Sequence, residues 1–218
     1  MSSLIAEILP LALAIALSPF PIIPAILLLF TARARANSVA FLGGWFLGIL
    51  LGATAFVLLA SVIELADEPP TWASWTRLML GLVLVGMGIK KWFGRSPDDA
   101  SPAWMRSIDA LEPAGAARLS LVLSLANPKV LLLAAAAGVA IGSFEAGTAE
   151  SALSIVIFTV IAASTVAVPV ALFLIRGSAI LGPLGKVRDW LERHNAAVLA
   201  IVVIVIGVAL CLKGIDGL

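Results

Sequence analysis

A lysine and a proline interrupt a long run of apolar residues in the second half of the chain. The run extends from Leu119 to Gly142, and Asn127, Pro128 and Lys129 lie inside it. Proline removes a backbone donor and clashes with the carbonyl one turn back, so a helix must kink or unwind at this point. A lysine near the bilayer centre costs about 2.5–3.5 kcal/mol on insertion scales, and such residues usually face a cavity. The three residues are therefore candidates for binding a charged group.

A second break lies half a chain length earlier, in the apolar run that begins at Leu4. Ser18 is followed there by Pro19, Pro21 and Pro24. Two interrupted hydrophobic segments at corresponding places in the two halves of a chain are typical of transporters, whose broken helices form the substrate site near the middle of the bilayer. Ser18, Pro19 and Pro21 are therefore added to the candidate substrate-binding residues.

The composition is that of a polytopic membrane protein. Hydrophobic residues make up 61% of the chain and charged residues only 12%, with a mean hydropathy of +1.13, whereas soluble domains carry about 25% charged residues. Six segments approach the ~20 residues that a bilayer requires: Leu4–Phe30, Val39–Ile63, Trp75–Phe93, Leu119–Ile141, Ala152–Ile175 and Ala196–Leu212. The prediction is an all-α fold of six transmembrane helices, with broken first and fourth helices, in one transmembrane domain over residues 1–218.

The basic residues orient these spans. Nearly all of the 14 lysine and arginine residues lie in the first, third and fifth loops, whereas Arg77 and Lys213 lie on the opposite side. By the positive-inside rule, the basic loops face the cytoplasm and both termini face outside. The second set of three helices then enters from the opposite side, which predicts an inverted 3+3 repeat. Its halves are residues 1–93 and 119–218, joined by a cytoplasmic loop with an amphipathic segment over 94–118.

Small and hydroxylated residues mark positions where helices can approach one another. The second span carries the GxxxGxxxG pattern at Gly44, Gly48 and Gly52, and the fourth repeats the spacing at Gly138 and Gly142. We interpret these glycines as ordinary helix packing. In the fifth span, Ser164 and Thr165 precede Pro169. Their hydroxyls could satisfy backbone carbonyls that the proline frees, or they could line a substrate path; both interpretations are kept, and both residues are candidate site residues.

The charges within the membrane favour an anionic ligand. None of the 13 acidic residues lies deep within a span, and Glu7 and Glu64 are near helix ends, so Lys129 has no evident carboxylate partner. Unwound helix ends would add amide donors. A site built in this way should bind a phosphate, sulfate or carboxylate. The alternative is that Lys129 snorkels, or bonds to carbonyls freed by Pro128 and Pro19.

Other kinds of chemistry find no support. The single cysteine, Cys211, and the single histidine, His194, cannot form a disulfide or a His/Cys metal site within the membrane, so no metal or cofactor is expected. Ser18 has no histidine or acid nearby in sequence, and the glycines lie in apolar helices rather than in a nucleotide-binding turn. Enzymatic activity is therefore not expected. Nucleic-acid binding is not expected either, because the basic residues border membrane segments.

Two cytoplasmic segments are predicted to lie at the membrane surface. Their apolar residues recur at helical spacing, with tryptophan and basic residues nearby. The first contains Trp104, Met105, Ile108 and Leu111, and the second contains Leu184, Val187, Trp190 and Leu191. We interpret both as anchors for the loops.

Several of these pieces together resemble a known family. They are Ser18-Pro19-Phe20-Pro21-Ile22, Pro102-Ala103-Trp104-Met105-Arg106-Ser107-Ile108-Asp109, Leu125-Ala126-Asn127-Pro128-Lys129, Asp189-Trp190-Leu191 leading to Asn195, and the closing Gly214-Ile215-Asp216-Gly217-Leu218. The Asn-Pro-Lys break resembles the lysine exporter superfamily of six-helix transporters. The full set resembles its branch of glycopeptidolipid- and sulfolipid-addressing proteins from actinobacteria. One departure is Val130, where a second amide side chain often follows the lysine in that branch.

The resemblance implies export or surface delivery of an envelope glycolipid or lipid-linked product from the bacterial cytoplasmic membrane. The implied partners are membrane lipids, an anionic lipid substrate and a larger lipid transport system, with a homo-oligomer as a further possibility. Two alternatives remain open. One is an exporter of small solutes such as amino acids or inorganic ions, as in other branches of the superfamily. The other is an accessory scaffold of an envelope lipid-transport system.

Overall fold

The structure is a computed structural model, and the described residues are 2–63, 110–142 and 147–216, with Ile108, Phe144 and scattered positions between Trp75 and Phe93. Every regular element among them is helical, which confirms the all-α prediction. The α-helices are α1 (Ser2–Ala16), α2 (Pro19–Leu28), α3 (Ala34–Ile63), α4 (Pro113–Leu125), α5 (Pro128–Gly142), α6 (Thr148–Arg176) and α7 (Leu181–Asp216), with a 3-10 turn at Gly177–Ile180.

The helices match the predicted membrane spans, including the two broken ones. Long apolar helical stretches run over Ala34–Ala60 and Thr148–Leu191. Two further spans are bent pairs: Leu4–Ala16 meets Pro19–Leu28 at 51°, and Pro113–Leu125 meets Pro128–Gly142 at 65°. The broken first and fourth helices are thereby confirmed, and the whole is consistent with up to six spans.

The remaining two predicted spans differ in how much the structure describes. About half of Trp75–Phe93 lies outside the described residues, and the positions that are described there are helical. Ala196–Leu212 lies within α7, which begins well before it at Leu181. The sequence predicts an interfacial segment separate from the sixth span, but one helix runs through both because no proline or helix-ending glycine lies between Gly185 and Ala196.

The chain divides into two compact units. The first consists of Met1–Leu65 and Ser101–Arg188, and the second of Ala66–Ala100 and Asp189–Leu218. In the first unit, α1 packs on α6, whereas α4 packs on α3, and α3 and α6 also contact one another. Helix α1, the first arm of the first broken span, thus packs on α6, the long helix of the second half of the chain. Helix α4, the first arm of the second broken span, packs on α3, the long helix of the first half. This reciprocal packing is what an internal repeat produces; the repeat boundaries themselves stay a prediction.

Glycines allow α3 to approach both halves of the second broken span. A Cβ atom at Gly48 would overlap the hydroxyl of Ser124 on α4. A Cβ atom at Gly138 on α5 would lie 2.9 Å from the carbonyl oxygen of Ala53 and 2.5 Å from the Cβ atom of Phe56. These contacts leave no room for a side chain, so the interpretation of the glycine pattern as helix packing is confirmed.

Polar contacts join the loops at the predicted cytoplasmic end of the first unit. Arg33 forms an exposed ion pair with Glu112 at 2.8 Å. The fully buried Asn37 donates from Nδ2 to the carbonyl of Leu111 at 2.8 Å and to Thr31 Oγ1 at 3.3 Å. The loop before α3 is therefore attached to the residues that precede α4.

The two segments predicted to lie at the membrane surface contain buried residues. Ile108 is buried, and Trp104 and Met105 lie outside the described residues. Leu184 of the second segment packs in a cluster with Ile26 and Leu29 of the first broken span. For Leu184 and Ile108, protein packing replaces the expected contact with lipid.

In the second unit, α7 approaches the helical positions near Gly81. A Cβ atom at Gly207 would lie 2.8 Å from the carbonyl oxygen of Gly81. The thiol of Cys211 is free and points to the carbonyl of Leu78 at 3.8 Å. Cys211 therefore acts as a small packing residue, as the sequence suggests.

The glycine contacts predict a large difference between two Gly→Ala substitutions. Gly138→Ala should lower the free energy of unfolding by about 1–3 kcal/mol, because its methyl group meets backbone atoms that cannot move aside. Gly43→Ala is the matched control, since no atom of the described residues lies within 4 Å of a Cβ atom there. It should leave stability unchanged or raise it by up to about 1 kcal/mol. Thermal unfolding in detergent checks both; equal stability of the two variants would contradict the packing argument.

Candidate functional site

The first break is built as the start of α2. Ser18 occupies the position before the helix in an extended conformation, with φ −73° and ψ 123°, and Pro19 is the first helical residue. Proline suits this position because its missing N–H would be unpaired there in any case. Ser18 is 2% exposed, and Pro19 and Pro21 are buried. The helix start therefore lies inside the protein rather than at its surface.

The second break also begins a helix with proline, and here a side chain caps the helix. Asn127 Oδ1 accepts a hydrogen bond from the backbone N–H of Lys129 at 3.0 Å, and the Asn127 carbonyl accepts from the N–H of Leu131 at 2.9 Å. Asn127 thus caps α5, Pro128 is the first helical residue and Lys129 the second. Helix-start chemistry explains the asparagine and the proline. It does not explain the lysine, whose charge is unfavourable near the positive end of a helix dipole.

Lys129 lies at the edge of the buried side of α5. Leu133, about one turn further on, is buried, whereas the adjacent Leu132 is exposed. The Nζ atom of Lys129 is itself buried, and it has no hydrogen-bond partner among the described residues. It neither reaches solvent nor bonds to a carbonyl at the breaks. A buried donor in this state is an expensive feature that a bound anion would compensate.

Hydroxyl groups of α6 have different partners. Ser164 donates to the carbonyl of Ile161 at 2.7 Å, within its own helix. Thr165 donates to the carbonyl of Ala16, the last residue of α1, at 2.5 Å. The sequence predicts either carbonyls freed by Pro169 as partners of these hydroxyls or a substrate path that they line. The structure instead connects Thr165 to a carbonyl at the first break, so the hydroxyl satisfies a neighbouring helix.

The structure thus brings the predicted site residues together in two groups. Ser18, Pro19 and Thr165 lie at the first break, and Asn127, Pro128 and Lys129 form the second. Both groups belong to the first unit, and α1 packs against both α5 and α6. Pro21 is buried within α2. The hydroxyl of Ser164 is occupied by its own helix.

A protein-family comparison accounts for nearly the whole chain. The family model described as Sap, sulfolipid-1-addressing protein, matches residues 8–216. The chain belongs to this family. The match confirms the resemblance drawn from the proline-rich break, the Asn-Pro-Lys break and the closing segment. Neither a curated protein nor a solved structure matches the chain.

Membership of the sulfolipid-1-addressing family agrees with a multi-pass membrane protein. The described part of the chain supplies two long apolar helices and two bent pairs for this family member. Within those residues no group of three or more His, Cys, Asp or Glu side chains could hold a metal ion.

Sequence reasoning missed two buried polar residues of α3. Trp45 is fully buried, and its Nε1 atom has no hydrogen-bond partner among the residues that the structure describes; the Oδ1 atom of the buried Asn37 has none there either. A tryptophan away from the ends of an apolar helix is a detectable signal, because its indole N–H needs a partner when buried. The sequence could not show that the partner would be lacking.

The contact between Thr165 and Ala16 predicts a position-specific effect on stability. Thr165→Val keeps the shape of the side chain but leaves a carbonyl unpaired, so the free energy of unfolding should fall by about 1–3 kcal/mol. Thr159→Val is the matched control on α6, because its hydroxyl bonds to Ile155 within its own helix. That change should cost less than about 1 kcal/mol. Thermal unfolding compares the two, and equal losses would contradict a role for Thr165 at the break.

Proposed function

We propose that this member of the sulfolipid-1-addressing family exports an anionic envelope lipid across the bacterial cytoplasmic membrane, with the lipid headgroup held at Lys129. The supporting observation is the buried Nζ atom of Lys129 at the start of α5, which has no hydrogen-bond partner within the described ranges. The acyl chains would remain in the bilayer while the headgroup passes the two breaks.

Charge and helix geometry both favour an anion at this site. Lys129 carries the positive charge, and the start of α5 contributes the positive end of its helix dipole. The start of α2 at the first break contributes a second helix start. A cationic substrate would meet repulsion from all three. The family match favours a lipid over amino acids or inorganic ions, because the family is described by a sulfolipid.

The loop charges give the proposed orientation. The basic loops would face the cytoplasm and both termini would face outside. A headgroup made on the cytoplasmic side would then reach Lys129 from the basic surface that includes Arg33, Arg35, Arg176 and Arg188. A larger lipid transport system would receive the lipid at the outer face.

Replacement of the lysine tests the proposal. Lys129→Met should abolish export, because loss of a charge-assisted hydrogen bond corresponds to about a hundredfold in affinity. Removal of an unpaired buried charge should leave thermal stability unchanged or raised, which separates loss of function from misfolding. The measurement is translocation of a sulfated galactolipid in proteoliposomes, with mass spectrometry of lipids that co-purify with each variant. Lys186→Met, at an exposed site on α7, is the control; export by Lys129→Met at the wild-type rate would refute the site.

The prolines test the broken-helix mechanism separately. Pro19→Ala and Pro128→Ala restore a backbone N–H at each break and favour a straighter helix by up to ~3 kcal/mol. We expect both variants to insert normally and to transport the sulfated galactolipid at least severalfold more slowly. Pro113→Ala is the matched control, because Pro113 also starts a helix but lies outside the breaks. Normal transport by both break variants would exclude the mechanism.

A further inference from the structure

Two arginines of the first unit, at the end predicted to face the cytoplasm, keep most of their binding capacity. Arg33, in the same region, is paired with Glu112 at 2.8 Å. Arg35 makes a single long hydrogen bond, from Nη2 to the carbonyl of Leu174 at 3.4 Å. Arg176 has no hydrogen bond or ion pair within the described part of the chain. A guanidinium group carries five N–H donors, so both arginines can bind further acceptors.

The hydrogen bond of Arg35 brings the two arginines to the same end of α6. Leu174 lies two residues before Arg176, which is the last residue of that helix. The Arg35 guanidinium is therefore within one helical turn of the Arg176 backbone along α6, a rise of about 5.4 Å. Both side chains are exposed. Two positive charges from different helices thus lie at the end of one membrane-spanning segment.

Apolar packing holds this end of α6 in place. Ile26 and Leu29 of α2 form a buried cluster with Leu184 of α7, and Phe173 of α6 packs against it. Phe173 immediately precedes Leu174, whose carbonyl receives the hydrogen bond from α3. Three helix ends are therefore packed together beside the arginines, and a ligand would meet a preformed surface.

Exposed apolar side chains lie next to the charges. Ile175, beside Arg176 in the chain, is 79% exposed. Phe30 is also exposed, and the Arg188 guanidinium lies over its ring, 5.7 Å from the centroid. A soluble anion would use only the charges. A lipid would use both kinds of group, because its headgroup is anionic and its acyl chains are apolar.

We propose that Arg35 and Arg176 form a binding site for the phosphate group of an anionic phospholipid from the surrounding leaflet. The acyl chains of this lipid lie along Ile175. Guanidinium groups suit phosphate because their N–H donors match pairs of its oxygens. Basic pockets between spanning helices on the cytoplasmic side are where anionic phospholipids bind. The site is separate from Lys129, and it does not depend on the proposed transport.

The test measures binding of phosphatidylglycerol to the full chain in detergent by native mass spectrometry, with phosphatidylcholine as the probe without net charge. Arg35→Gln and Arg176→Gln should each weaken binding of phosphatidylglycerol about fivefold, and the double variant about 25-fold. Binding of phosphatidylcholine should not change. Thermal stability without added lipid should stay at the wild-type value, because both side chains are exposed. Phosphatidylglycerol should raise the melting temperature of the wild type and not that of the double variant.

Arg118→Gln is the matched control. Arg118 is an exposed arginine on α4, so this variant removes the same charge at a different helix and should bind phosphatidylglycerol as the wild type does. An equal loss in Arg118→Gln would overturn the site, because it would assign the binding to net charge. Wild-type binding by the double variant would overturn it directly.

Two competitors test the identity of the ligand. Glycerol 1-phosphate carries the phosphate without acyl chains and should displace phosphatidylglycerol only at far higher concentration. Displacement at equal concentration would overturn the assignment to a lipid. A sulfated galactolipid should bind no more tightly than phosphatidylglycerol, and tighter binding would overturn the assignment to a phospholipid.

The same measurements in Lys129→Met separate this inference from the proposed function. The losses caused by Arg35→Gln and Arg176→Gln should persist in that background, because the two sites are distinct. If Lys129→Met alone abolishes binding of phosphatidylglycerol and the double arginine variant binds normally, the arginine site is overturned and the proposed function stands. If only the arginine variants lose binding, the arginine site is supported whatever the result of the export assay.

Discussion

A helix that breaks inside a bilayer must find partners for the backbone groups that the break exposes, because no water is present to take their place. Both broken spans of this protein meet that requirement with residues close to the break. Asn127 supplies the acceptor for a freed N–H on α5, and Thr165 supplies the donor for the freed carbonyl of Ala16. Prolines at the first position of each new helix remove one N–H that would otherwise need a partner.

Lys129 is the exception to this balance. The position is unfavourable for a cation in three respects: its Nζ atom is buried, it lies at the positive end of a helix, and its Nζ atom has no partner in the described part of the chain. The side chains of Asn127 and Thr165 at the two breaks do have partners. The anionic headgroup of the proposed function would offset the penalties at Lys129.

The local features of this arrangement were predictable from sequence and the tertiary ones were not. Proline positions and the run of apolar residues determine the two breaks directly, and glycine spacing identified the packed face of α3. The partner of Thr165 could not be predicted, because Ala16 lies far away in sequence and the local alternative at Pro169 was equally reasonable. The unpaired indole N–H of Trp45 could not be predicted for a related reason. Periodicity shows that a residue is buried, but only tertiary contacts show that its donor lacks a partner.

Close packing of α3 also determines the geometry of the proposed site. Gly48 meets α4 before the bend and Gly138 meets α3 after it, so a single straight helix contacts both arms of the 65° break. The bend angle at the second break is therefore fixed by this set of contacts. A larger residue at either glycine would move one arm of the break relative to the other. Preorganised groups lose less entropy on binding than flexible ones, so under the proposed function the small residues that allow close packing would also contribute to recognition of the headgroup.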